Sequence, residues 1–162
     1  MLKNNLARLC SPVGLQIRKN HMGNLTVLLA EDEANDVFLM QRAVRKMDAP
    51  VSLQIATDGE EAIHYLSGQN KYSDRNLYPL PNLILLDIKM PRKNGFDVLG
   101  WLKQDATLTH IPVVMVSSSK VKSDIDRSHE LGASAYLVKP VNFDELKYLF
   151  TATEQFLSVH AF

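Results

Sequence analysis

The chain has 162 residues, of which 46% are hydrophobic and 22% are charged, and its 18 basic and 18 acidic residues give a formal net charge of zero. This composition is typical of one globular domain with a core of its own; it excludes a disordered or fibrous chain and gives no sign of a nucleic-acid-binding or membrane protein. The single cysteine, Cys10, excludes an internal disulfide and favours a reducing, cytoplasmic location.

Residues 1–24 differ from the rest of the sequence. They carry four basic residues and no acidic residue, and they lack the continuous apolar stretch of a secretory signal. Their resemblance to an organellar transit peptide is weak. We therefore expect a disordered leader without a function of its own, with Met22 as an alternative start, and a folded domain over residues 25–159.

Short apolar runs alternate with helical patterns along the remaining sequence. Strands are predicted at Leu25–Ala30, Val51–Ala56, Asn82–Asp87, Pro112–Ser117 and Ala135–Val138. Helices are predicted at Asn35–Asp48, Gly59–Ser67, Gly95–Gln104, Ser123–Leu131 and from Asn142 onward.

This alternation is typical of an α/β protein with a parallel sheet that is covered on both faces. Four of the predicted strands are continuous apolar runs, as expected of strands that are buried on both sides, whereas Val51–Ala56 alternates and suits an edge. The pattern favours a doubly wound, five-stranded parallel sheet in the order 2-1-3-4-5, which is the flavodoxin-like arrangement. The long loop Gly68–Pro81 has no predicted secondary structure.

Polar side chains lie at the carboxyl ends of four predicted strands, either as the last strand residue or directly after it: Glu31 and Asp32, then Asp87, Ser117 and Lys139. In a parallel sheet these ends lie along one edge, where ligands bind. Three carboxylates raise each other's pKa unless a cation neutralises them, and an all-oxygen site suits Mg²⁺. With a lysine and a hydroxyl nearby, the pattern predicts a site that handles a phosphoryl group, with Asp87 as the nucleophile.

Four motifs in this order resemble those of the receiver domain of two-component response regulators. They are Glu31-Asp32, LLDIKMP with Asp87, VSS with Ser117, and YLVKP with Tyr136, Lys139 and Pro140. The resemblance extends from about Leu25 to Leu157 and is to a stand-alone receiver domain of the chemotaxis-regulator type. It implies a switch that is controlled by its own phosphorylation and is not an enzyme in the ordinary sense.

The resemblance also implies roles for individual residues. Asp87 would accept a phosphoryl group from a histidine kinase, and Lys139 would pair with the phosphoryl oxygens. Mg²⁺ would be bound directly by Asp32 and Asp87, by the backbone carbonyl of Lys89, and by Glu31 through water.

The implied switch begins at Ser117, which would hydrogen-bond the phosphoryl group and draw its loop inward. Tyr136 would then rotate into the vacated space and change the face made by helix 4, strand 5 and helix 5. The resemblance further implies a cis peptide between Lys139 and Pro140. Glu31 stands where an aspartate is common in the family.

A second, looser resemblance concerns the long loop, which contains Tyr72, Arg75 and Pro81. It is similar to the loop of response regulators that act with phytochrome-type kinases. Because the sequence ends at Phe162, directly after the last predicted helix, we expect output through the receiver surface: binding of an unidentified protein target, with a homodimer as an option.

Three alternatives were weighed against this interpretation. A flavin-binding protein of the same fold is disfavoured because Glu31, Asp32 and Glu33 occupy the turn that would hold the flavin phosphate. An aspartyl phosphatase would carry its nucleophile after the first strand rather than the third. A receiver-like binding module that works without phosphorylation remains open.

Overall fold

The computed structural model describes residues 24–47 and 50–160, with the side chains of residues 158–160 left out. The expected leader lies almost entirely outside these residues and stays a prediction, as does the boundary of the folded domain. The strands are β1 (Leu25–Ala30), β2 (Val51–Ala56), β3 (Leu83–Leu86), β4 (Val113–Ser117) and β5 (Ala135–Val138). The helices are α1 (Ala34–Arg45), α2 (Gly59–Ser67), α3 (Gly95–Gln104), α4 (Lys122–Glu130) and α5 (Phe143–His160), with a short 3₁₀ helix at Asn70–Ser73.

All neighbouring strands are parallel, in the order β2-β1-β3-β4-β5, so the predicted fold class is confirmed. Every residue of β1, β3 and β4 is buried, because these central strands are covered on both faces. β2 forms one edge, as its alternation predicted. β5 forms the other edge, as the predicted order requires; its continuous apolar sequence indicated burial on both sides, but Tyr136 and Val138 are only half-buried.

The core has one layer on each face of the sheet, because successive strand residues point to opposite sides. Leu28, Ile84 and Met115 pack with residues of α2 and α3 on one face. Leu29 and Leu85 pack with residues of α1 and α5 on the other. Packing on both faces holds the sheet in place, and with it the edge at which the carboxyl ends of the strands lie.

Asn142 and Glu145 have the sequence spacing of a capping box, and the structure shows one at the start of the last helix. The amide of Glu145 donates to Asn142 Oδ1 at 2.8 Å, and the amide of Asn142 donates to Glu145 Oε2 at 3.3 Å. The helical spacing of Phe143 with Leu146 and Phe150 predicts that all three are buried, but Phe143 is exposed as the first residue of α5, whereas Leu146 and Phe150 are buried.

The loop between α2 and β3 packs against α2, although its sequence predicts no secondary structure. The rings of Tyr65, Tyr72 and Tyr78 contact one another with centroids 4.9–6.1 Å apart. The Arg75 guanidinium donates to the carbonyls of Tyr65 and Leu66, each at 2.8 Å, and to that of Tyr78 at 3.2 Å. We call residues 68–81, with this tyrosine cluster, the loop lobe.

Glu61 joins the loop lobe to α2. Its carboxylate accepts hydrogen bonds from the Lys71 ammonium at 2.9 Å and the Tyr72 hydroxyl at 2.6 Å, and from the amide of Thr57 at 2.7 Å. Burial opposes ionisation of this group, but the hydrogen bonds from Lys71, Thr57 and Tyr72 outweigh it and lower the pKa of Glu61 to about 2.

We expect the Glu61→Gln substitution to lower the free energy of unfolding by about 1–2 kcal/mol at neutral pH. A carboxylate whose pKa is lowered in the folded state stabilises that state above its ordinary pKa of 4.5 and loses the effect as the pH falls toward 2. The difference between wild type and Glu61→Gln should therefore narrow from about pH 5 to pH 2 in urea unfolding experiments. Glu60→Gln is the matched control, since Glu60 is exposed and has only a 3.7 Å contact with Arg92. A difference for Glu61→Gln that stays constant with pH would contradict the assignment.

Candidate functional site

Backbone hydrogen bonds bring the predicted polar residues to one edge of the sheet. The backbone ladder continues one residue beyond the strands. The amide of Glu31 donates to the carbonyl of Ala56 at 2.9 Å, and the amide of Asp87 donates to the carbonyl of Ala30 at 3.0 Å. The amide of Lys139 donates to the carbonyl of Ser117 at 2.9 Å. These side chains are therefore placed by the sheet itself rather than by a separate loop.

Glu31, Asp32 and Asp87 form a compact cluster in which one carboxylate oxygen from each residue lies within 4.8 Å of the other two. Glu31 and Asp87 are 2% and 5% exposed, whereas Asp32 is exposed to solvent. Buried carboxylates at this separation repel each other and call for a positive charge. A set of oxygen ligands with one solvent-facing member fits a hard divalent cation such as Mg²⁺.

The electrostatics of the two buried carboxylates agree with this need. Burial raises the pKa of Asp87, with partial opposition from the Lys139 ammonium and from the amides of Ile88 and Lys89. Burial likewise raises the pKa of Glu31, with opposition from Lys139. The Lys139 ammonium therefore does not fully offset the effect of burial on the pKa of these two acids. A cation bound in the cluster would lower both pKa values.

Lys139 is the positive member of the site. Its ammonium lies 2.6 Å from Glu31 Oε2, 2.9 Å from Asp36 Oδ2 and 3.4 Å from Asp87 Oδ2. Burial alone would lower the pKa of Lys139, but the hydrogen bonds with Glu31 and Asp36 raise it above its usual value, so the side chain stays charged. The peptide bond between Lys139 and Pro140 is cis, as the sequence motif implied.

Asp36 was not among the predicted site residues. It lies in the first turn of α1, four residues after Asp32, and no motif distinguishes it from an ordinary acidic residue near a helix N-terminus. Only the tertiary structure brings it to Lys139, which is 103 positions further along the chain.

Lys89 follows the strand end as predicted, and its side chain is exposed to solvent. Its backbone amide contributes to the field at Asp87. The ligand role expected of its carbonyl stays a prediction.

The two predicted switch residues are joined through the β4–α4 loop. Ser117 is fully buried, and its hydroxyl accepts a hydrogen bond from the amide of Ser119 at 3.2 Å. The Tyr136 hydroxyl donates to the carbonyl of Ser119 at 2.9 Å, so this half-buried tyrosine is joined directly to the loop. The Ser119 hydroxyl donates to Asp124 Oδ2 at 2.6 Å, a contact that no sequence motif indicated.

The turn that carries Asp87 is held against the start of α3. The amide of Gly95 donates to the carbonyl of Ile88 at 2.9 Å, and a Cβ on Gly95 would lie 2.1 Å from the carbonyl oxygen of Asp87. Only glycine allows this approach, because any side chain would force the helix and the turn apart. Gly95 therefore fixes the backbone on which the candidate nucleophile sits.

The arrangement has a definite chemical capacity. Asp87 presents a buried carboxylate with Oδ1 held by the amide of Ile88 at 2.8 Å and Oδ2 facing Lys139. Glu31 and Asp32 lie beside it as further carboxylates for a divalent cation, and the Lys139 ammonium contacts both Glu31 and Asp87. Such a site can lower the electrostatic barrier to attack by a carboxylate on a phosphoryl group.

Comparison with known proteins identifies the family. The model of the response regulator receiver domain matches residues 27–151. The chain belongs to this family. Among the residues that the structure describes, no helix has both the length and the apolar composition needed to cross a bilayer.

Several relatives of this receiver domain are phytochrome response regulators, which confirms the looser resemblance as well. Response regulator Rcp1 of Synechocystis sp. is 36% identical over 130 residues, covering 80% of this chain and 86% of that protein. The phosphorylated cyanobacterial phytochrome response regulator RcpA is 33% identical with a TM-score of 0.69, over 84% of this chain and 93% of that one. The Mn²⁺-bound form of Rcp1 is 36% identical with a TM-score of 0.67, and the match covers 83% of this chain and 92% of that one.

We expect Gly95→Ala to lower the free energy of unfolding by about 1–3 kcal/mol, because the added methyl group meets the Asp87 carbonyl. Gly100 provides the matched control within the same helix, since a Cβ there has no heavy atom within 4 Å. Gly100→Ala should raise the free energy of unfolding by about 0.5–1 kcal/mol through higher helix propensity. Equal and stabilising effects of both substitutions in urea unfolding would refute the packing argument.

We expect Asp32→Ala to weaken Mg²⁺ binding at least about tenfold in isothermal titration calorimetry, because it removes the solvent-facing ligand of the cluster. Glu33→Ala removes the same charge one residue away and outside the cluster, so it should have a much smaller effect. Equal affinities of wild type and Asp32→Ala would remove Asp32 from the metal site.

Proposed function

We propose that this receiver domain is a response regulator that accepts a phosphoryl group on Asp87 from a phosphohistidine of a sensor kinase. The observation that carries the proposal is that the buried Asp87 carboxylate shares one site with two further acids, Glu31 and Asp32, and with the Lys139 ammonium. A carboxylate that served only to end a strand would gain nothing from two further acids and a lysine at the same point.

The transfer follows from the chemistry of the groups present. A carboxylate oxygen of Asp87 attacks phosphorus as the P–N bond of phosphohistidine breaks, and the bonding electron pair returns to the imidazole nitrogen. The product is an acyl phosphate on Asp87. Asp32, Asp87 and the Lys89 carbonyl would hold Mg²⁺ directly, and Glu31 would hold it through water. The bound ion would neutralise charge on the phosphoryl oxygens.

Lys139 would supply a second positive charge to the same oxygens. It is already within 3.4 Å of Asp87 and is kept ionised by its acidic neighbours. It can therefore stabilise the added negative charge without first taking up a proton.

The signal would pass from Asp87 to the surface through the β4–α4 loop. The Ser117 hydroxyl accepts a hydrogen bond from the Ser119 amide and would donate its own proton to a phosphoryl oxygen, so a movement of Ser117 toward Asp87 would act on Ser119. Ser119 also binds Tyr136 and Asp124, so a movement of this loop reaches both β5 and α4. Such a loop is a two-state element whose equilibrium a local charge can shift.

The output would be a change in binding at the α4–β5–α5 face. Val121 at the start of α4 and Tyr148 on α5 are more than half exposed, as expected of a face that binds a protein. The occupant is a downstream target or a second copy of the chain. The similarity to the phytochrome response regulator RcpA and to two bacteriophytochrome response regulators supports a phytochrome-type kinase as the donor, and such an exchange would take place in the cytoplasm.

We expect wild-type protein to gain one phosphoryl group on incubation with acetyl phosphate and Mg²⁺, and Asp87→Asn to gain none, as measured by intact mass spectrometry. Since burial disfavours the ionised form of Asp87, the Asp87→Asn variant should be at least as stable as wild type at neutral pH, which thermal unfolding will check. Labelling of Asp87→Asn would refute the site. Failure of wild type to gain the group would favour a binding module that works without phosphorylation.

A further inference from the structure

The contact between Asp36 and Lys139 assigns a role to a residue outside the receiver motifs. We propose that Asp36 is a positioning residue that holds the Lys139 ammonium away from Asp87, so that Asp87 stays available to a metal ion and a phosphoryl donor. The inference rests on the proposed function for its consequence on phosphorylation, but its effect on metal binding can be measured separately.

The distances around the ammonium show an unequal division of contacts. Those to Glu31 and Asp36, at 2.6 and 2.9 Å, are charge-assisted hydrogen bonds, whereas that to Asp87, at 3.4 Å, is an ion pair longer than a normal hydrogen bond. An ammonium has three N–H donors. Two of them are engaged by Glu31 and Asp36, and the nucleophile receives the weakest contact of the three.

Asp36 is suited to this task because it takes no part in the acidic cluster. The cluster consists of Glu31, Asp32 and Asp87, while Asp36 stands on α1 with its side chain 36% exposed. Its backbone is fixed in the first turn of a helix, where a carboxylate is also favoured by the helix dipole. Asp36 can therefore hold the lysine without competing for a cation.

The loss of the Asp36 charge has a specific structural consequence. The released N–H would turn to the nearest remaining partially satisfied anion, which is Asp87 at 3.4 Å. A closer ammonium would repel a divalent cation from the cluster and would occupy the carboxylate oxygen that attacks phosphorus. Asp36→Asn should accordingly weaken Mg²⁺ binding and slow phosphorylation together.

Mg²⁺ titration calorimetry on the full chain tests the role without any phosphodonor. We expect Asp36→Asn to weaken Mg²⁺ binding about tenfold relative to wild type. Glu33→Gln, which removes one exposed charge from the same end of α1, should have a clearly smaller effect and measures the general loss of negative potential. Asp36→Glu, which keeps the carboxylate, should restore most of the affinity.

A double-mutant cycle separates positioning of Lys139 from other effects. In a Lys139→Ala background, Asp36→Asn should weaken Mg²⁺ binding no more than Glu33→Gln does, because there is no ammonium left to hold. Equal affinities of Asp36→Asn and Glu33→Gln in the presence of Lys139, tighter binding by Asp36→Asn, or an undiminished effect in the Lys139→Ala background would each overturn the proposal.

The rate of phosphorylation gives the second readout. The initial rate of adduct formation from acetyl phosphate at saturating Mg²⁺ should fall about five- to tenfold in Asp36→Asn and recover in Asp36→Glu. If wild type forms no adduct, the proposed function fails while the Mg²⁺ measurements still decide the role of Asp36. If wild type is phosphorylated and Asp36→Asn reacts at the same rate, the proposed function stands and the positioning role is refuted.

Discussion

The site depends on an excess of negative charge at the edge of a rigid, apolar sheet. Glu31 and Asp87 are buried at the ends of β1 and β3, and in the part of the chain that the structure describes Lys139 is the one ammonium in contact with both. The central strands are buried on both faces, so these carboxylates cannot move apart without loss of core packing. The folded protein thus keeps an excess of negative charge at this edge, and a bound metal ion can neutralise it.

The elements around this edge differ in how firmly they are held. The turn after Asp87 is fixed by the close approach of Gly95, which leaves no room for a side chain. The β4–α4 loop is held by individual hydrogen bonds of Ser119 with Ser117, Tyr136 and Asp124. Such bonds each contribute only about 0.5–1.5 kcal/mol net, or more where a charged group takes part, and can be exchanged for others. The candidate nucleophile is therefore on a firmly held turn, and the two candidate switch residues are joined through a loop that is held by exchangeable hydrogen bonds.

Much of this arrangement was predictable from the sequence because it follows local patterns. Four continuous apolar runs and one alternating run placed all five strands to within one residue at each end. The polar residues at or directly after the ends of these strands placed Glu31, Asp32, Asp87, Ser117 and Lys139 at one edge. Boundaries were least accurate where side-chain period alone defined them: α1 ends at Arg45 instead of Asp48, and α4 begins one residue earlier than expected. Helices fray or stop according to tertiary contacts that the period does not record.

The contacts that the sequence patterns did not predict join residues that lie outside any recognisable motif. Asp36 reaches Lys139 across 103 positions, and Asp124 finds Ser119 only once the β4–α4 loop has its conformation. The loop lobe is the largest case, since its order comes from three tyrosines and from Arg75 binding helix carbonyls. A polar, glycine- and proline-containing sequence gives no indication of such packing, because the partners belong to α2.

The order within the loop lobe has a thermodynamic consequence for recognition. Leu77 and Leu80 are 66% and 43% exposed, yet they stand on a segment whose backbone is anchored through Tyr65, Tyr78 and Arg75. A flexible loop of this length would have to be immobilised by any protein that bound it, at a cost in conformational entropy for every residue fixed. Here that entropy has been given up during folding, so two apolar side chains are presented to other molecules in a conformation that binding need not create.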